Sequence, residues 1–178
     1  MKLIPTELPG LRLIRPKFFQ DARGSFVKTF HRDIFHELGL DFEPREEFFS
    51  TSAKNVLRGM HFQLPPAAHA KLVYCIAGNV LDVVLDLRKN SPMFGRSYGR
   101  ELSAVNREMF FIPVGFAHGF LALEDNTTMV YQTSTVHSPA HDAGVRWDSF
   151  DFDWPVKNPI LSDRDQKFPT LREFNSPF

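Results

Sequence analysis

The 178-residue sequence predicts an all-β fold, a sandwich or barrel of many short strands around one core. Apolar runs rich in β-branched and aromatic residues recur at strand length, and turns with Gly, Asn, Pro or Asp separate many of them. Only HRDIFHELGL, at 31–40, has the apolar spacing of a helix, with Gly39 near its end. We expect a jelly-roll barrel with one short helix and a C-terminal tail that is irregular or briefly helical.

The strand-length runs follow one another along most of the chain. In order they are LRLIRPKFF, EEFFSTSA, VLRGMHFQ, KLVYCIA, NVLDVVLDL, SYGRELSA, EMFFIPV, HGFLALE and TTMVYQTSTV. The two runs around Gly78 look like a hairpin. From Asp151 onwards, residues such as Pro, Asp and Trp replace this pattern. Because there is no repeat, low-complexity segment or interdomain linker, residues 1–178 are predicted to form a single domain.

The composition argues against several classes of protein. The 21 basic and 21 acidic residues give zero formal charge, so there is no global attraction to nucleic acid or to an anionic membrane. No stretch approaches membrane-spanning length, and the N-terminus lacks the apolar core of a signal peptide. Cys75 is the single cysteine, which excludes an intrachain disulfide. We expect a cytoplasmic protein that binds neither nucleic acid nor membrane.

Two cations and an imidazole stand close to core sequence. Arg58 and His61 lie in the run VLRGMHFQ, and Lys71 opens the next apolar run. Burying such groups costs free energy unless partners compensate. Strand alternation would place Arg58 and His61 on opposite faces, unless Gly59 forms a bulge. A lone histidine on an apolar strand is usually a satisfied core residue, but the neighbouring cations make a pocket possible.

The segment FFIPVGFAHGF resembles the second half of the cupin signature, in which P-x-G-x-x-H delivers a histidine, here His118, into the barrel mouth. In metal-binding cupins the first half supplies H-x-H and a following Glu, whereas this chain has His61-Phe-Gln and no carboxylate a few residues on. A ligand set of His61, His69 and His118 can be imagined, but Lys71 beside it would repel a cation. We expect no metal and no other cofactor.

Seven segments together resemble the dTDP-4-dehydrorhamnose 3,5-epimerase family, cupin-fold enzymes that act on nucleotide-linked 4-keto-6-deoxy sugars. They are DARGSFVKTF, VLRGMHFQLPP, AKLVYCIAGNVLDVVLDLRKNSPMFG, LSAVNREMFFIPVGFAHGF, VYQTS, VRWDSFDFDWPV and PILSDRD, and they cover nearly the whole chain. The resemblance implies a cupin-type jelly roll and epimerisation at C3, at C5 or at both, in deoxysugar biosynthesis for surface polysaccharide such as O-antigen.

The resemblance also implies roles for four catalytic residues. A ketone at C4 acidifies the hydrogens at C3 and C5, so the reaction needs a base, an oxyanion stabiliser and an acid on the far side of the ring. His61 would be the base, and Asp165, the last residue of the S-x-x-D motif, would orient it. Lys71 would stabilise the enolate and Tyr131 would return the proton.

Further residues are implied to bind the substrate. Arg58 would hold the diphosphate through charge-assisted hydrogen bonds. His118, with Asp82, would line the sugar pocket. Arg23 and Phe26 match family positions that arrive from a second subunit by strand exchange, which implies a homodimer.

The sequence departs from the family pattern at a group of positions near the substrate. Lys28 stands where a Glu is usual, Glu46 and Phe48 replace the ends of a Q-x-N motif, and His137 replaces an aromatic. Several changes around one ligand suggest a different ligand. Cytosine, with its N3 acceptor and amino donor, would suit Lys28 and Glu46, so we hypothesise a CDP-linked rather than a dTDP-linked sugar. The predicted substrate-binding set is Arg23, Phe26, Lys28, Glu46, Phe48, Arg58, Gln63, Asp82, His118 and His137.

Four alternative functions remain open at this point. The first is a 5-epimerase of a CDP-4-keto-3,6-dideoxy hexose, and the second is a ketoisomerase that moves the keto group from C4 to C3. The third is a metal-dependent cupin enzyme. The fourth is a non-catalytic sugar-binding jelly roll, which would need no acid–base pair.

Overall fold

The computed structural model describes residues 1–178 and contains two antiparallel sheets. In spatial order the first sheet contains β1 (Lys2–Pro5), β2 (Arg12–Arg15), β10 (Met109–Ile112), β7 (Lys71–Ala77), β12 (Thr127–Thr133) and β5 (Glu46–Ser52). The second contains β13 (Asp142–Gly144), β6 (Leu57–Gln63), β11 (Phe116–Ala122), β8 (Asn79–Asp86) and β9 (Ser97–Ser103). A separate hairpin is formed by β3 (Phe18–Asp21) and β4 (Gly24–Val27), and the helices are α1 (Arg32–Glu37) and α2 (Asp163–Gln166). The prediction of an all-β, cupin-type jelly roll is confirmed.

The central core lies between the two sheets. Val73 and Phe110 of the first sheet pack in one buried cluster with Val84 and Phe120 of the second, and none of the four is more than 1% exposed. Burial of such side chains contributes about 1.5–3 kcal/mol each. This cluster joins the sheets into one barrel.

The outer face of each sheet is also covered. Helix α1 places Phe35 against β2, β7 and β10 on the outside of the first sheet. On the outside of the second sheet, Trp154 and Phe174 of the C-terminal tail pack with residues of β6, β8 and β11. Strands buried on both faces read as continuous apolar runs, which is why KLVYCIA and FAHGFLA show little alternation.

The predicted hairpin around Gly78 is wrong. Strand β7 pairs with β10 and β12, whereas β8 pairs with β9 and β11, so the chain crosses from one sheet to the other at this turn. Gly78 has a positive φ of 73°, and a Cβ there would lie 2.3 Å from Thr127 Oγ1. The turn therefore requires glycine both for its backbone angle and for its close approach to β12.

The predicted helix is present but shorter than its apolar pattern. It ends at Glu37, with Leu38 at the C-cap and Gly39 beyond it at a φ of 71°. The second helix, in the C-terminal tail, has four residues. Neither is long and apolar enough to cross a membrane. The edge strands β1 and β13 are short and were not expected from the sequence.

Candidate active site

A cavity of about 270 Å³ opens between the two sheets at one end of the barrel. Its walls come from β5, β7 and β12 of the first sheet, from β6, β11 and β13 of the second, and from α2. Of the residues singled out in the sequence, those that line it are Glu46, Phe48, Arg58, His61, Gln63, His69, Lys71, His118, Tyr131 and His137.

A β-bulge brings Arg58 and His61 to the same cavity. His61 pairs with His118 of β11, and Arg58 pairs with Phe120, so three steps along β6 match two steps along β11. A Cβ on Gly59 would lie 2.7 Å from the Cα of a glycine in β11, so only glycine fits at the bulge. The prediction of a bulge at Gly59 is confirmed.

His61 and Asp165 form a hydrogen-bonded pair. His61 Nε2 lies 2.9 Å from Asp165 Oδ1, and the Gly59 N–H donates to Asp165 Oδ2 over 3.1 Å. Asp165 is 2% exposed, and Ser162, the N-cap of α2, accepts its backbone N–H. Burial opposes ionisation of Asp165, but the hydrogen bond and charge of His61 and the Gly59 N–H outweigh burial and lower its pKa to about 2.

Burial also lowers the pKa of His61, although the hydrogen bond to Asp165 opposes that effect. The imidazole is therefore neutral at neutral pH and able to accept a proton. Its other nitrogen, Nδ1, has no hydrogen-bond partner, because both contacts of the ring are made by Nε2. This arrangement is that of a general base supported by a carboxylate.

Lys71 is a buried cation beside this pair. It is 9% exposed, and its Nζ donates to the main-chain carbonyl of His61 over 3.0 Å. Burial lowers its pKa to about 8, opposed by the charges of Asp142 and Asp82. The amine therefore stays largely protonated at pH 7. Its one protein acceptor is the His61 carbonyl, so it can also donate to an oxyanion that develops in the cavity.

Tyr131 faces His61 from the opposite sheet. Its hydroxyl lies 3.2 Å from Ser50 Oγ, and its ring stacks on Phe48 with centroids 4.8 Å apart and an interplanar angle of 14°. Burial raises the pKa of Tyr131 well above its ordinary value, so the phenol keeps its proton at neutral pH. It lines the cavity from the sheet opposite to that of His61 and is able to donate a proton.

The structure assigns Asp82 a different position from the one expected. Asp82 is fully buried and does not line the cavity. His118 does line it, and its Nε2 lies 2.9 Å and 3.0 Å from the two carboxylate oxygens of Asp82. Burial raises the pKa of Asp82, opposed by His118. Asp82 therefore reaches the cavity only through His118, whose ring it orients.

Gln63 lines the cavity, but the loops around it occupy its amide. The side-chain nitrogen donates to Ala67 O over 2.8 Å, and the side-chain oxygen accepts the Ser138 N–H over 2.6 Å. The amide therefore mainly holds two loops together.

The guanidinium of Arg58 is less occupied. It donates only to Ser52 Oγ and Thr51 O and has no carboxylate partner. Its charge is available to an anion.

Three of the positions that depart from the family pattern meet on one wall. Phe48 and Glu46 point into the cavity from β5, and the Glu46 carboxylate accepts the His137 N–H over 2.6 Å. The His137 ring lies 3.6 Å from Asp142. These residues are thus neighbours in space, as their grouping in the sequence suggested.

The other three predicted substrate-binding residues do not line the cavity of their own chain. Arg23 and Phe26 lie in the β3–β4 hairpin, and Lys28 follows β4. Arg23 pairs only with Asp21 within this hairpin, and Phe26 is 60% exposed. All three side chains are open to solvent in the isolated chain.

Sequence reasoning missed two charged residues of the site. Arg164 places Nη2 2.9 Å from His61 Nε2 and pairs with Asp142, and both residues line the cavity. Arg164 directly precedes Asp165 in the motif LSDRD, but a sequence cannot show that both side chains reach one imidazole.

The imagined metal-ligand set is absent. No group of three or more His, Cys, Asp or Glu residues is arranged to hold a metal ion. His69 instead lies 3.0 Å from the Gln63 amide, and burial, with the nearby Lys71 charge, lowers its pKa to about 3. His61 and His118 each have a separate carboxylate partner.

The sequence and the fold resemble those of known sugar-nucleotide epimerases. The family profile described as dTDP-4-dehydrorhamnose 3,5-epimerase matches residues 5–173. A dTDP-4-dehydrorhamnose 3,5-epimerase of Shigella flexneri is 45% identical over 94% of this chain and 96% of its own.

Two solved structures show the same likeness in three dimensions. The Bacillus anthracis dTDP-4-dehydrorhamnose 3,5-epimerase, with TDP and PPi bound, has a TM-score of 0.92 and 38% identity over 95% of this chain and 98% of its own. The Legionella pneumophila dTDP-6-deoxy-D-glucose-3,5-epimerase, in complex with dTDP-4-keto-L-rhamnose, has a TM-score of 0.93 and 34% identity, covering 98% and 94% respectively. The chain therefore belongs to the dTDP-4-dehydrorhamnose 3,5-epimerase family.

Proposed function

We propose that residues 1–178 act as one catalytic domain that epimerises a nucleotide-linked 4-keto-6-deoxy hexose at C3, at C5 or at both. One observation carries the proposal. A neutral histidine backed by a carboxylate, a buried ammonium and a protonated phenol line one cavity, with the histidine and the phenol on opposite sheets. Enolate chemistry next to a ketone requires these three functions in this arrangement.

His61 takes a proton from the carbon next to the C4 ketone, and its Nδ1 is the nitrogen free to do so. Asp165 stabilises the imidazolium that forms. The electron pair of the broken C–H bond moves to the C4 oxygen, where the Lys71 ammonium stabilises the negative charge. Tyr131 then gives its proton to the opposite face of the carbon, which inverts the configuration.

A nucleotide diphosphate suits the cations of the site. Arg58 lines the cavity without a carboxylate partner, and the family members above have TDP or a dTDP-linked sugar bound. The identity of the nucleotide's base, thymine or cytosine, is a separate question. Glu46 presents a carboxylate and Lys28 an ammonium at positions where the family usually has neutral Gln and acidic Glu, which supports a CDP-linked sugar, such as a 4-keto-3,6-dideoxy hexose epimerised at C5.

Nucleotide preference is measured directly by thermal shift. We expect CDP to raise the melting temperature more than dTDP or GDP. The matched variant is Glu46→Gln, which restores the usual family side chain and should reduce the preference for CDP. A largest shift with dTDP in the unaltered protein would contradict the CDP hypothesis and leave the epimerase proposal intact.

A homodimer with strand exchange would complete the site. Arg23, Phe26 and Lys28 lie on or beside a hairpin that belongs to neither sheet, and Phe18, Phe19 and Phe26 leave 49–67% of their side chains exposed there. Exposed aromatic clusters of this kind are typical of interfaces. The hairpin would carry these residues to the cavity of a second copy.

Subunit complementation tests this exchange. Arg23→Ala and His61→Asn homodimers should each be inactive. A mixture refolded together should regain activity, because the Arg23→Ala subunit keeps its own His61 and receives Arg23 from its partner. If the mixture stays inactive while native mass spectrometry shows mixed dimers, Arg23 does not act across the interface.

The epimerase proposal itself is tested by product analysis. The protein is incubated with dTDP- and CDP-linked 4-keto-6-deoxyglucose and with the CDP-linked 3,6-dideoxy analogue, and configuration at C3 and C5 is read by NMR. We expect inversion with at least one of the three and none with His61→Asn. A keto group moved to C3 would instead favour the ketoisomerase alternative, and no change in any substrate would reject both.

A further inference from the structure

Arg164 is the one charged residue in direct contact with the proposed base that the proposed reaction does not use. It lies in α2, and its side chain is 51% exposed. Its Nη2 lies 2.9 Å from His61 Nε2, and its Nε lies 3.3 Å from Asp165 Oδ1. Its Nη1 pairs with Asp142 of β13. The guanidinium thus sits between the His61–Asp165 pair and the cavity.

His61 Nε2 cannot satisfy both of its neighbours. If Nε2 carries a proton, it donates to Asp165, and the Arg164 N–H then faces another donor at 2.9 Å. If Nε2 is bare, it accepts from Arg164, but its lone pair then faces a carboxylate oxygen at 2.9 Å. One imidazole nitrogen is either a donor or an acceptor. Two arrangements are therefore possible, Nε2–H donating to Asp165 or bare Nε2 accepting from Arg164, and each leaves one unfavourable contact.

Arg164 is the neighbour free to move. Asp165 is 2% exposed and is fixed by the Gly59 N–H at 3.1 Å and by its place in the first turn of α2. Arg164 is half exposed and has a long side chain with several rotatable bonds. Its ion-pair partner, Asp142, lies on a three-residue edge strand at the cavity wall.

We propose that Arg164 is a positioning residue that selects the tautomer of His61. With Arg164 on Nε2, the proton of the neutral ring lies on Nδ1, and His61 has no free lone pair to act as a base. When Arg164 leaves, Nε2–H donates to Asp165 and the Nδ1 lone pair is available. That His61 is the base rests on the proposed function, but the tautomer change does not.

An anionic phosphate group is the ligand class that would move Arg164. Arg58 and Arg164 both line the cavity, so a diphosphate held by Arg58 can compete with Asp142 for the second guanidinium. The other charged groups facing His61 do not prevent the change. Lys71 contacts its main-chain carbonyl rather than its ring, and Asp165 favours the Nε2–H form. Ligand binding would thereby convert His61 to the Nε2–H tautomer, whose Nδ1 lone pair can accept a proton.

The test is the tautomer of His61, read by ¹⁵N NMR of protein labelled at histidine. The two ring nitrogens differ in chemical shift with protonation, and His61→Asn assigns the signals among the seven histidines. We expect the free protein to carry the His61 proton on Nδ1 and Arg164→Gln to carry it on Nε2. Inorganic pyrophosphate should move the proton to Nε2 in the unaltered protein. Arg164→Lys, which keeps the charge, is the matched variant and should respond to pyrophosphate.

The same tautomer in the unaltered protein and in Arg164→Gln would overturn the proposal. So would an Nε2–H signal in the free, unaltered protein. Circular dichroism establishes that Arg164→Gln is folded, which its half-exposed position leads us to expect. Since no sugar substrate is used, a negative result here would not bear on whether the protein is an epimerase.

Discussion

Replacing Lys71 by methionine should make the protein more stable and nearly inactive. Methionine has a similar length and no charge, so it fills the space without a large cavity. The loss of a donor aimed at the oxyanion should lower kcat by roughly 100- to 1,000-fold, or about 2.7–4 kcal/mol. The free energy of unfolding should rise, because burial of the ammonium destabilises the folded protein.

The stability gain follows from the pKa of Lys71. Its fall from 10.5 in water to about 8 means that the folded protein holds the proton less tightly than the unfolded chain. At roughly 1.4 kcal/mol per pH unit, this corresponds to a cost of about 3 kcal/mol at pH 7, which methionine removes. The lost hydrogen bond to the His61 carbonyl offsets about 1 kcal/mol of it. The expected net gain in unfolding free energy is about 2 kcal/mol.

Urea unfolding followed by circular dichroism measures this difference, and the pH dependence checks its cause. The cost of the buried ammonium is complete below the folded pKa of about 8 and disappears above 10.5. The advantage of Lys71→Met should therefore shrink as pH rises from 8 to 10.5. Lys157→Met, at an exposed lysine, is the matched control and should alter neither stability nor rate. A Lys71→Met protein that is both less stable and fully active would contradict both expected effects.

Three further variants test other parts of the site. Tyr131→Phe should reduce inversion about 100-fold or more while His61 still exchanges the substrate proton with solvent, and equal loss of both would argue against Tyr131 as the acid. Asp165→Asn should lower kcat by about 100- to 10,000-fold because the amide cannot stabilise the imidazolium; a near-normal kcat would show that the pair is not needed. Gly59→Ala should destabilise the fold by at least about 1–3 kcal/mol, because its φ of 154° and its 2.7 Å approach to Gly119 leave no room for a methyl group; an unchanged urea midpoint would contradict this account of the bulge.

Local patterns predicted the strands and the turn that carries His118. The strand-length apolar runs correspond to β2 and to every strand from β5 to β12, since alternation and composition act over a few residues. The bulge at Gly59 was also predictable, because glycine is the residue that tolerates such a backbone. The resemblance to a family then supplied roles for Lys71, Tyr131 and Asp165 that spacing alone could not.

Other features depended on contacts distant in sequence. The turn at Gly78 looked like a hairpin, and only its approach to Thr127 shows that it joins two sheets. The burial of Asp82 behind His118 could not be read from alternation, because both faces of β8 are covered. The contact of Arg164 with His61 depends on where the C-terminal tail packs against β6, which no local pattern specifies.

The exchange of deuterium from solvent into the substrate tests proton abstraction by His61. The unaltered protein is incubated in deuterated water with a nucleotide-linked 4-keto-6-deoxy hexose, and the sugar is examined by NMR. We expect deuterium at C3, at C5 or at both, on carbons whose configuration is inverted, and no deuterium with His61→Asn. Inversion without deuterium, or deuterium that persists in His61→Asn, would contradict proton abstraction by His61.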